Sequence, residues 1–262
     1  NADTANAANV WIGDAAYTNS VTTVYANRFQ VGDASTSASG ANAIAIGTGA
    51  IASMPNTLAF GTQAKATQTE TIAIGNQAIA SGMTSIAIGS GAQASGESST
   101  AIGIQAGAGG KASNQHNLAL GSYAGQNVDG QYNTSIGLNA GQNVIGSNNF
   151  AFGYNAGQNI QGSSNLGLGV NAGQNVTGIN NLAFSSNAGQ RVTGNNNVAL
   201  GQRSGNDVDG SDNFALGARA GQTVTGSNNV AIGAEAGSNI AAANTIAIGY
   251  QSQDTQNTAG AI

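Results

Sequence analysis

Apolar and small residues alternate along this chain in a short unit that recurs fourteen times. The unit reads apolar, small, apolar, glycine, and Ile44-Ala45-Ile46-Gly47 is its first copy. Alternation with a period of two places Ile44 and Ile46 on one face of a β-strand and Ala45 on the other. The pattern therefore predicts an all-β protein with one short strand in each copy.

The spacing of the copies predicts a solenoid. Copies begin every fourteen residues from Ile44 to Thr100, one step of eighteen leads to Leu118, and every later step up to Ile246 is sixteen residues. A constant step places equivalent residues of successive coils in one column, so each coil stacks on its neighbours. At about 3.3 Å per residue, a coil of this length has room for two strands of about five residues and two tight corners. We therefore predict a rod-like β-solenoid of about fourteen coils.

The boundaries follow from the same spacing. Residues 1–41 lie outside the repeat, and the head repeats occupy residues 42–262. The period is fourteen to about residue 103, irregular over 104–117 and sixteen from residue 118. The two additional residues of the long coils fall after the first strand, which indicates a turn at that point.

Each column of the repeat has a structural interpretation. The middle column is Ala, Ser or Gly in every copy, which indicates close approach of another backbone. The glycine that follows is replaced only by Ser185, which fits a corner that needs a positive φ or lacks room for a Cβ. We assign to the apolar and glycine ladders Ile46, Ile74, Ile88, Leu120, Ile136, Leu200, Ile232, Gly47, Gly121 and Gly137.

Asparagine precedes the motif in eight successive coils from Asn117 to Asn229. Stacked identical amides can form hydrogen bonds along a solenoid axis, so we interpret this column as a stabilising ladder. The alternative is that asparagine is simply a favourable turn residue. The ladder residues singled out are Asn133, Asn149, Asn165 and Asn181.

Composition limits the possible functions. Only 6% of the residues are charged, and six basic residues are scattered against eleven acidic ones, so no basic stripe exists for nucleic acid. Cysteine is absent, which removes disulfides and thiol chemistry. The single His116 has no recognisable serine and acid partners for catalysis. We expect no catalytic residues, no cofactor, no metal and no membrane contact by this segment, with any export signal or anchor elsewhere.

A two-walled coil encloses very little, so a fold of this kind is expected to bury further surface by oligomerisation. The repeated sequence, as in Ser85-Ile86-Ala87-Ile88-Gly89 and Asn229-Val230-Ala231-Ile232-Gly233, resembles the head repeat of the YadA-like trimeric autotransporter adhesins of Gram-negative bacteria. The resemblance extends over about residues 42–250.

This resemblance implies a left-handed parallel β-roll, assembled with two further copies of the chain into a homotrimer and displayed on the cell surface from the outer membrane. It also implies extracellular matrix, host-cell or abiotic ligands. The sixteen-residue coils exceed the usual head repeat, and no basic neck motif or stalk heptads follow. We therefore interpret the chain as a head separated from its neck and stalk.

The segment before the repeat is rich in aromatic residues: Trp11, Tyr17, Tyr25 and Phe29. These side chains could cap the exposed end of the solenoid, or they could form an adhesive tip. The sequence leaves both interpretations open, with the cap preferred.

Polar turns supply the remaining candidates. Exposed amides of the long-coil turns, such as Gln126 and Asn127, could bind a ligand or could be plain hydrophilic turns. The acidic residues Asp207, Asp209 and Asp212 faintly resemble a calcium loop but lack its bidentate glutamate, and we interpret them as a solvated turn. Three functions remain in view: an adhesin head, a passive spacer or shielding segment, and, far behind, an ice-binding solenoid.

Overall fold

The computed structural model describes residues 21–25 and 28–253, in which every regular element is a β-strand. The chain divides into two compact units, of which the first ends at His116 and the second begins at Asn117. Each of the fourteen motif copies forms a strand of three residues, and parallel strands dominate both units. The structure confirms the all-β solenoid.

In unit 1 two parallel sheets face each other. The first sheet stacks β2, β4, β6, β8, β10 and β12, with β1 antiparallel at its edge; the second sheet stacks β3, β5, β7, β9 and β11. Pairing is in register, with Ile86 beside Thr100 and Ile72. The strands are β1 (Val21–Tyr25), β2 (Arg28–Gly32), β3 (Ser37–Ala38), β4 (Ile44–Ile46), β5 (Ile51–Ala52), β6 (Leu58–Phe60), β7 (Lys65–Ala66), β8 (Ile72–Ile74), β9 (Ile79–Ala80), β10 (Ile86–Ile88), β11 (Gln93–Ala94) and β12 (Thr100–Ile102).

Unit 2 repeats this arrangement with sixteen-residue coils. Its first sheet contains nine parallel strands, and its second sheet contains β17, β19, β21 and β23, preceded by single bridges such as Ile145 with Gln161. The strands are β13 (Leu118–Leu120), β14 (Thr134–Ile136), β15 (Phe150–Phe152), β16 (Leu166–Leu168), β17 (Val176–Thr177), β18 (Leu182–Phe184), β19 (Val192–Thr193), β20 (Val198–Leu200), β21 (Val208–Asp209), β22 (Phe214–Leu216), β23 (Val224–Thr225), β24 (Val230–Ile232) and β25 (Ile246–Ile248).

The strands are shorter than the five residues allowed by coil length. Three residues form each first-sheet strand after β2, and two form each second-sheet strand. The remaining residues of each coil lie in its corners. These corners contain residues with positive φ, such as Asn56 and Gln63, both at 58°. Left-handed residues end a strand, so the coil is mostly corner.

The interior of each coil is built from small residues. In unit 1 most inward side chains are alanines, of which Ala45, Ala50 and Ala52 are fully buried, and Thr71 and Ser85 are fully buried beside them. In unit 2 a column of Val and Ile is added, in which Val144 and Ile160 are at most 2% exposed. The two additional residues of the long coils thus accompany larger side chains in the core.

The glycine after most of the motif strands satisfies both conditions that the sequence suggests. Gly121 has a φ of 131°, and a Cβ placed on it would lie 2.5 Å from the carbonyl oxygen of Gly137 in the next coil. Real Cβ atoms do not approach backbone so closely, and this φ disfavours other residues. Both the conformation and the contact therefore select glycine at this corner.

Ser185 is the exception in the glycine column, and it adopts a φ of 124°. A non-glycine residue in such a region stores about 1–3 kcal/mol of strain. We expect Ser185→Gly to raise the free energy of unfolding by about 1 kcal/mol, net of the entropy that glycine adds to the unfolded chain. Urea denaturation followed by circular dichroism measures this difference.

The neighbouring Ser186→Gly is the matched control. Ser186 accepts a 3.0 Å hydrogen bond from Asn187 Nδ2 and has no positive φ. Its replacement is expected to be neutral or destabilising. Equal stabilisation by both changes would show that strain at residue 185 is not the cause.

Candidate interaction surfaces

The outward side of the first sheet is apolar in both units. The first and third residues of each motif point outward because the small middle residue points inward, and Ala73 and Ala87 are fully buried. We call these outward residues the apolar face. Among the predicted ladder residues, Ile46, Ile74, Ile88, Ile136, Leu200 and Ile232 are half-buried, and Leu120 is exposed.

Large side chains on the apolar face are strongly exposed in the single chain. Phe60 and Phe184 are 49% and 50% exposed, and Ile248 is 62% exposed. Phe150 and Phe152 stack their rings at 6.5 Å within one strand. Monomeric soluble proteins rarely leave a contiguous apolar surface of this kind uncovered.

The buried asparagine column of unit 2 is hydrogen-bonded from coil to coil. Asn149 Nδ2 donates to Asn133 Oδ1 at 3.1 Å and to the carbonyl oxygen of Gly162 at 2.9 Å. Its own Oδ1 accepts from the backbone N–H and the Nδ2 of Asn165. The same bonds recur at Asn165 and Asn181, so each amide joins three successive coils.

Unit 2 contains a second column of polar side chains that bond to the backbone of the coil before, and it was not predicted from the sequence. Ser147 Oγ and Ser163 Oγ each accept a 3.0 Å hydrogen bond from a backbone N–H one coil earlier, and Asn195 Oδ1 does the same for Ile179. The buried Val and Ile column was also missed as core, because it stood inside a segment interpreted as a turn. An apolar residue at every sixteenth position of that polar segment was the available signal.

The amides proposed as ligand-binding candidates contact one another along the axis. Asn127 Nδ2 donates to Asn143 Oδ1, and Asn143 Nδ2 to Asn159 Oδ1, both at 3.0 Å. Gln142 Nε2 donates to the carbonyl oxygen of Tyr123 at 3.0 Å. These side chains stabilise the turns, while each asparagine amide keeps further hydrogen-bonding capacity toward solvent.

Charged residues of unit 2 also pair between coils. Arg191 forms an ion pair with Asp207, which holds the pKa of that carboxyl below its ordinary value. Hydrogen bonds from Gln251 and then Arg219 lower the pKa of Glu235 in the same way. The pairs are exposed, so their contribution to stability is small.

The strongest shift belongs to Asp33 near the start of the solenoid. Hydrogen bonds, chiefly from Ser35 Oγ and the backbone N–H of Gly49, lower its pKa from 3.8 to about 2. Thr36 Oγ1 also donates to this carboxylate at 3.1 Å. Asp33 thus fixes the first corner of the solenoid in its ionised form.

This lowered pKa predicts a pH-dependent stability. The folded pKa lies below the unfolded value, so the stabilisation by ionised Asp33 is present above about pH 4 and is lost as the pH falls toward 2. We expect Asp33→Asn to melt below the wild type at pH 7 and the gap to close near pH 2. Thermal melts of both proteins at the two pH values measure it, and a gap that is independent of pH would contradict it.

The remaining polar candidates occupy separate places. His116 is exposed and has a φ of 56°. Asp212 accepts a 2.9 Å hydrogen bond from Asn196 Nδ2, Asp207 contacts Arg191, and Asp209 is exposed in β21. Over residues 21–25 and 28–253, no group of three or more His, Cys, Asp or Glu side chains is placed to hold a metal ion.

The N-terminal aromatic residues are only partly described. Trp11 and Tyr17 lie outside the described residues. Tyr25 ends β1 opposite Arg28, and half-buried Phe29 in β2 pairs with Ile44. Parallel stacking therefore begins with β2, inside the segment assigned to the cap.

The described interior of unit 2 contains one small enclosed space. The enclosed space in unit 2, between Val176, Val192 and the buried asparagines, measures about 20 Å³. That volume holds about one water molecule. Binding by this unit therefore has to use its outer surfaces.

Comparison with known proteins gives one finding. The family model of the YadA head domain repeat matches residues 34–50, 38–64, 52–78 and 80–106. No curated protein matches the chain. Within the described part, no helix has the length and apolar character needed to cross a membrane. Unit 1 therefore contains repeats similar to the YadA head domain repeat, and unit 2 continues the same motif with two more residues in each coil.

Proposed function

We propose that this chain is the head of a surface adhesin that attaches a Gram-negative bacterium to matrix proteins, host cells or abiotic surfaces. The match to the YadA head repeat supports a surface-exposed adhesin, and adhesins of that family are not enzymes. Display from the outer membrane is part of the proposal. The observation that carries it is a stack of repeated coils with little interior and extended outer surfaces.

The apolar face is proposed to be covered by two further copies of the chain. The apolar face recurs in the motif copies of each unit, and monomeric soluble proteins rarely expose side chains such as Phe60, Phe184 and Leu120 in one surface. Closed cyclic symmetry around an axis beside this face would bury the same columns in each copy. The occupant is a second and third copy because the repeat keeps this face apolar in every coil.

Light scattering tests the assembly. The purified chain is expected to have about three times the 25.5 kDa chain mass. Phe152→Glu with Phe184→Glu should give monomers or aggregates, because charges would then be buried in the interface. Ile145→Glu is the matched control, since Ile145 is 56% exposed on the opposite sheet. A monomer with full β signal in the wild type would overturn the trimer.

Adhesion itself needs a separate test. Binding of the intact assembly to matrix proteins, cultured cells and bare polystyrene should exceed that of an unrelated trimer. Many weak contacts multiplied over three chains would make the binding strongly dependent on valency. The alternative is a passive spacer or shielding segment, which would assemble in the same way and bind none of these surfaces.

Residues 1–41 are proposed to cap the solenoid. The antiparallel pairing of β1 with β2 supports this, because it ends the run of parallel strands with a hairpin. Deleting residues 1–27 removes β1 but leaves β2, and we expect a folded protein that aggregates more readily through its open edge. Sedimentation after heating measures this. Loss of adhesion with unchanged solubility would instead favour the adhesive tip.

A further inference from the structure

An open groove of about 700 Å³ lies on the outer side of unit 1, away from the apolar face. Its floor is made by outward residues of the second sheet, among them Ile51, Lys65 and Ile79. Its wall is made by corner glutamines, among them Gln63 and Gln77. The volume is within the range of small-molecule sites, about 300–1,000 Å³.

Glycines open the wall of this groove. The column that contains Gln63 and Gln77 holds Gly49 and Gly91 in two other coils, all with positive φ. A Cβ at Gly91 would approach Gln105 Cγ to 3.2 Å. A glutamine at residue 91 would therefore fill part of the open space.

Several long coils of unit 2 occupy the corresponding turn with a glutamine side chain. Gln158 Nε2 donates to the carbonyl oxygen of Asn139 at 2.9 Å and lies 3.4 Å from Asn155 Oδ1. Gln158 belongs to the enlarged turn of the long coils, whereas Asn139 and Asn155 occupy the column that holds Gln63 and Gln77 in unit 1. An open pocket of about 500 Å³ also lies at this turn near the end of unit 2, but Arg219, Glu235 and Gln222 line it, and Arg219 there is paired with Glu235.

Charge favours a sparsely acidic ligand. Lys65 is the one charged residue that lines the groove, it is exposed, and it forms no ion pair with the carboxylates that the structure describes. The chain carries a net charge of −5, which disfavours a heavily sulfated polyanion. One lysine for each groove matches a ligand with isolated carboxylates.

The spacing of the polar groups favours a sugar chain over a peptide. Equivalent residues of successive coils are about 4.8 Å apart, close to the length of one pyranose ring. An extended peptide along the axis repeats like-facing side chains about every 6.6 Å, out of register with the coils. Gln77 Nε2 donates to Gln63 Oε1 at 3.1 Å, and each amide keeps further donors or acceptors for hydroxyl groups.

We propose that this groove binds an acidic oligosaccharide with isolated carboxylates. Lys65 binds a carboxylate, the glutamine amides bind hydroxyl groups, and Ile51 and Ile79 contact the apolar faces of the sugar rings. The inference rests on the proposed adhesive function and names a ligand class for it.

Isothermal titration of the intact chain with an unsulfated hyaluronan hexasaccharide tests the proposal. We expect measurable binding, and a loss of at least about tenfold in Lys65→Gln, because a hydrogen bond to a charged group contributes more than a tenfold factor. Gly91→Gln should also weaken binding without changing the charge. Lys111→Gln, with the same charge change outside the groove, should bind as the wild type does.

Three comparison ligands test whether the groove prefers an acidic oligosaccharide with isolated carboxylates. A neutral hexasaccharide should bind more weakly, and a sulfated heparin hexasaccharide should gain nothing from its extra charge. Stronger binding of a glutamate-rich peptide, equal binding by Lys65→Gln, or no binding by the folded wild type would each overturn the proposal. Adhesion to collagen and polystyrene is measured in parallel. If the wild type does not adhere to either surface, the adhesive function is refuted. If it adheres but shows no binding of the hexasaccharide in the titration, only the proposed ligand of the groove is refuted.

Discussion

Deleting residues 166–181 is expected to leave a folded protein that is one coil shorter. The deletion removes β16 and β17 and joins Asn165 to Leu182, so Asn165 takes the place of Asn181 before the motif. Its amide can then donate to the carbonyl oxygen of Gly194 as Asn181 does. Because coils contact chiefly their neighbours, the solenoid should shorten by about 4.8 Å and melt within roughly 5 °C of the wild type.

Deleting only residues 166–173 should be far worse. It removes β16 but keeps Val176, so eight residues remain that cannot complete a coil and must loop out. Closing such a loop costs about 2 kcal/mol, and Val176, which is 2% exposed in the wild type, loses its buried position. Circular dichroism melts and limited proteolysis compare the two deletions. Equal melting temperatures would mean that sixteen residues are not the structural unit.

Replacing Asn181 with leucine should cost several kcal/mol. Asn181 Nδ2 donates to Asn165 Oδ1 and to the carbonyl oxygen of Gly194, and its Oδ1 accepts from the backbone N–H and Nδ2 of Asn197. Leucine cannot form these hydrogen bonds, so the buried groups that Asn181 contacts lose a partner. Each buried group left unsatisfied lowers the stability by about 1–3 kcal/mol. We expect a loss of about 3–5 kcal/mol in the free energy of unfolding, measured by urea denaturation.

Asn180→Gly is the matched control for the ladder. Asn180 is exposed, has a φ of 58° that glycine adopts readily, and donates only a 3.2 Å bond to Asn196 Oδ1. Its loss should change stability by about 1 kcal/mol or less. If both variants lost the same amount, the buried column would contribute no more than an ordinary turn asparagine.

Sequence periodicity predicted the repeat and its columns because each column performs one physical task in every coil. The corner glycines meet the backbone of the next coil, so a Cβ would collide at Gly47 as it would at Gly121. The asparagine column predicted a ladder, and the side chains of Asn133 and Asn149 are hydrogen-bonded in one. Because every coil has the same contacts, the residue that each contact requires recurs at a fixed interval in the sequence.

The apolar residues of the repeat did not reveal which side of the sheet is inside. Ile44 and Ile46 alternate with Ala45, and either face could have been buried in a two-walled coil. Only the packing of the two sheets decides: the middle position of each first-sheet strand holds a buried small residue, and Val or Ile is buried only at the added column of unit 2. The large side chains therefore point outward, where they form the apolar face.

The sequence predicted the longer turn of the unit 2 coils, but it did not predict that this turn places a Val or Ile side chain in the core. Two additional residues mark a longer turn in each coil of unit 2, yet Val144 and Val176 within this segment belong to the core. In unit 1 the shorter turn borders the groove beside Lys65 on the outer side of the second sheet. The sequence by itself determined the coil period, the corner glycines and the asparagine column, since these depend on contacts between equivalent residues. Tertiary structure decided which side chains face inward and where the surface is open, because those depend on the packing of the two sheets, which no single column encodes.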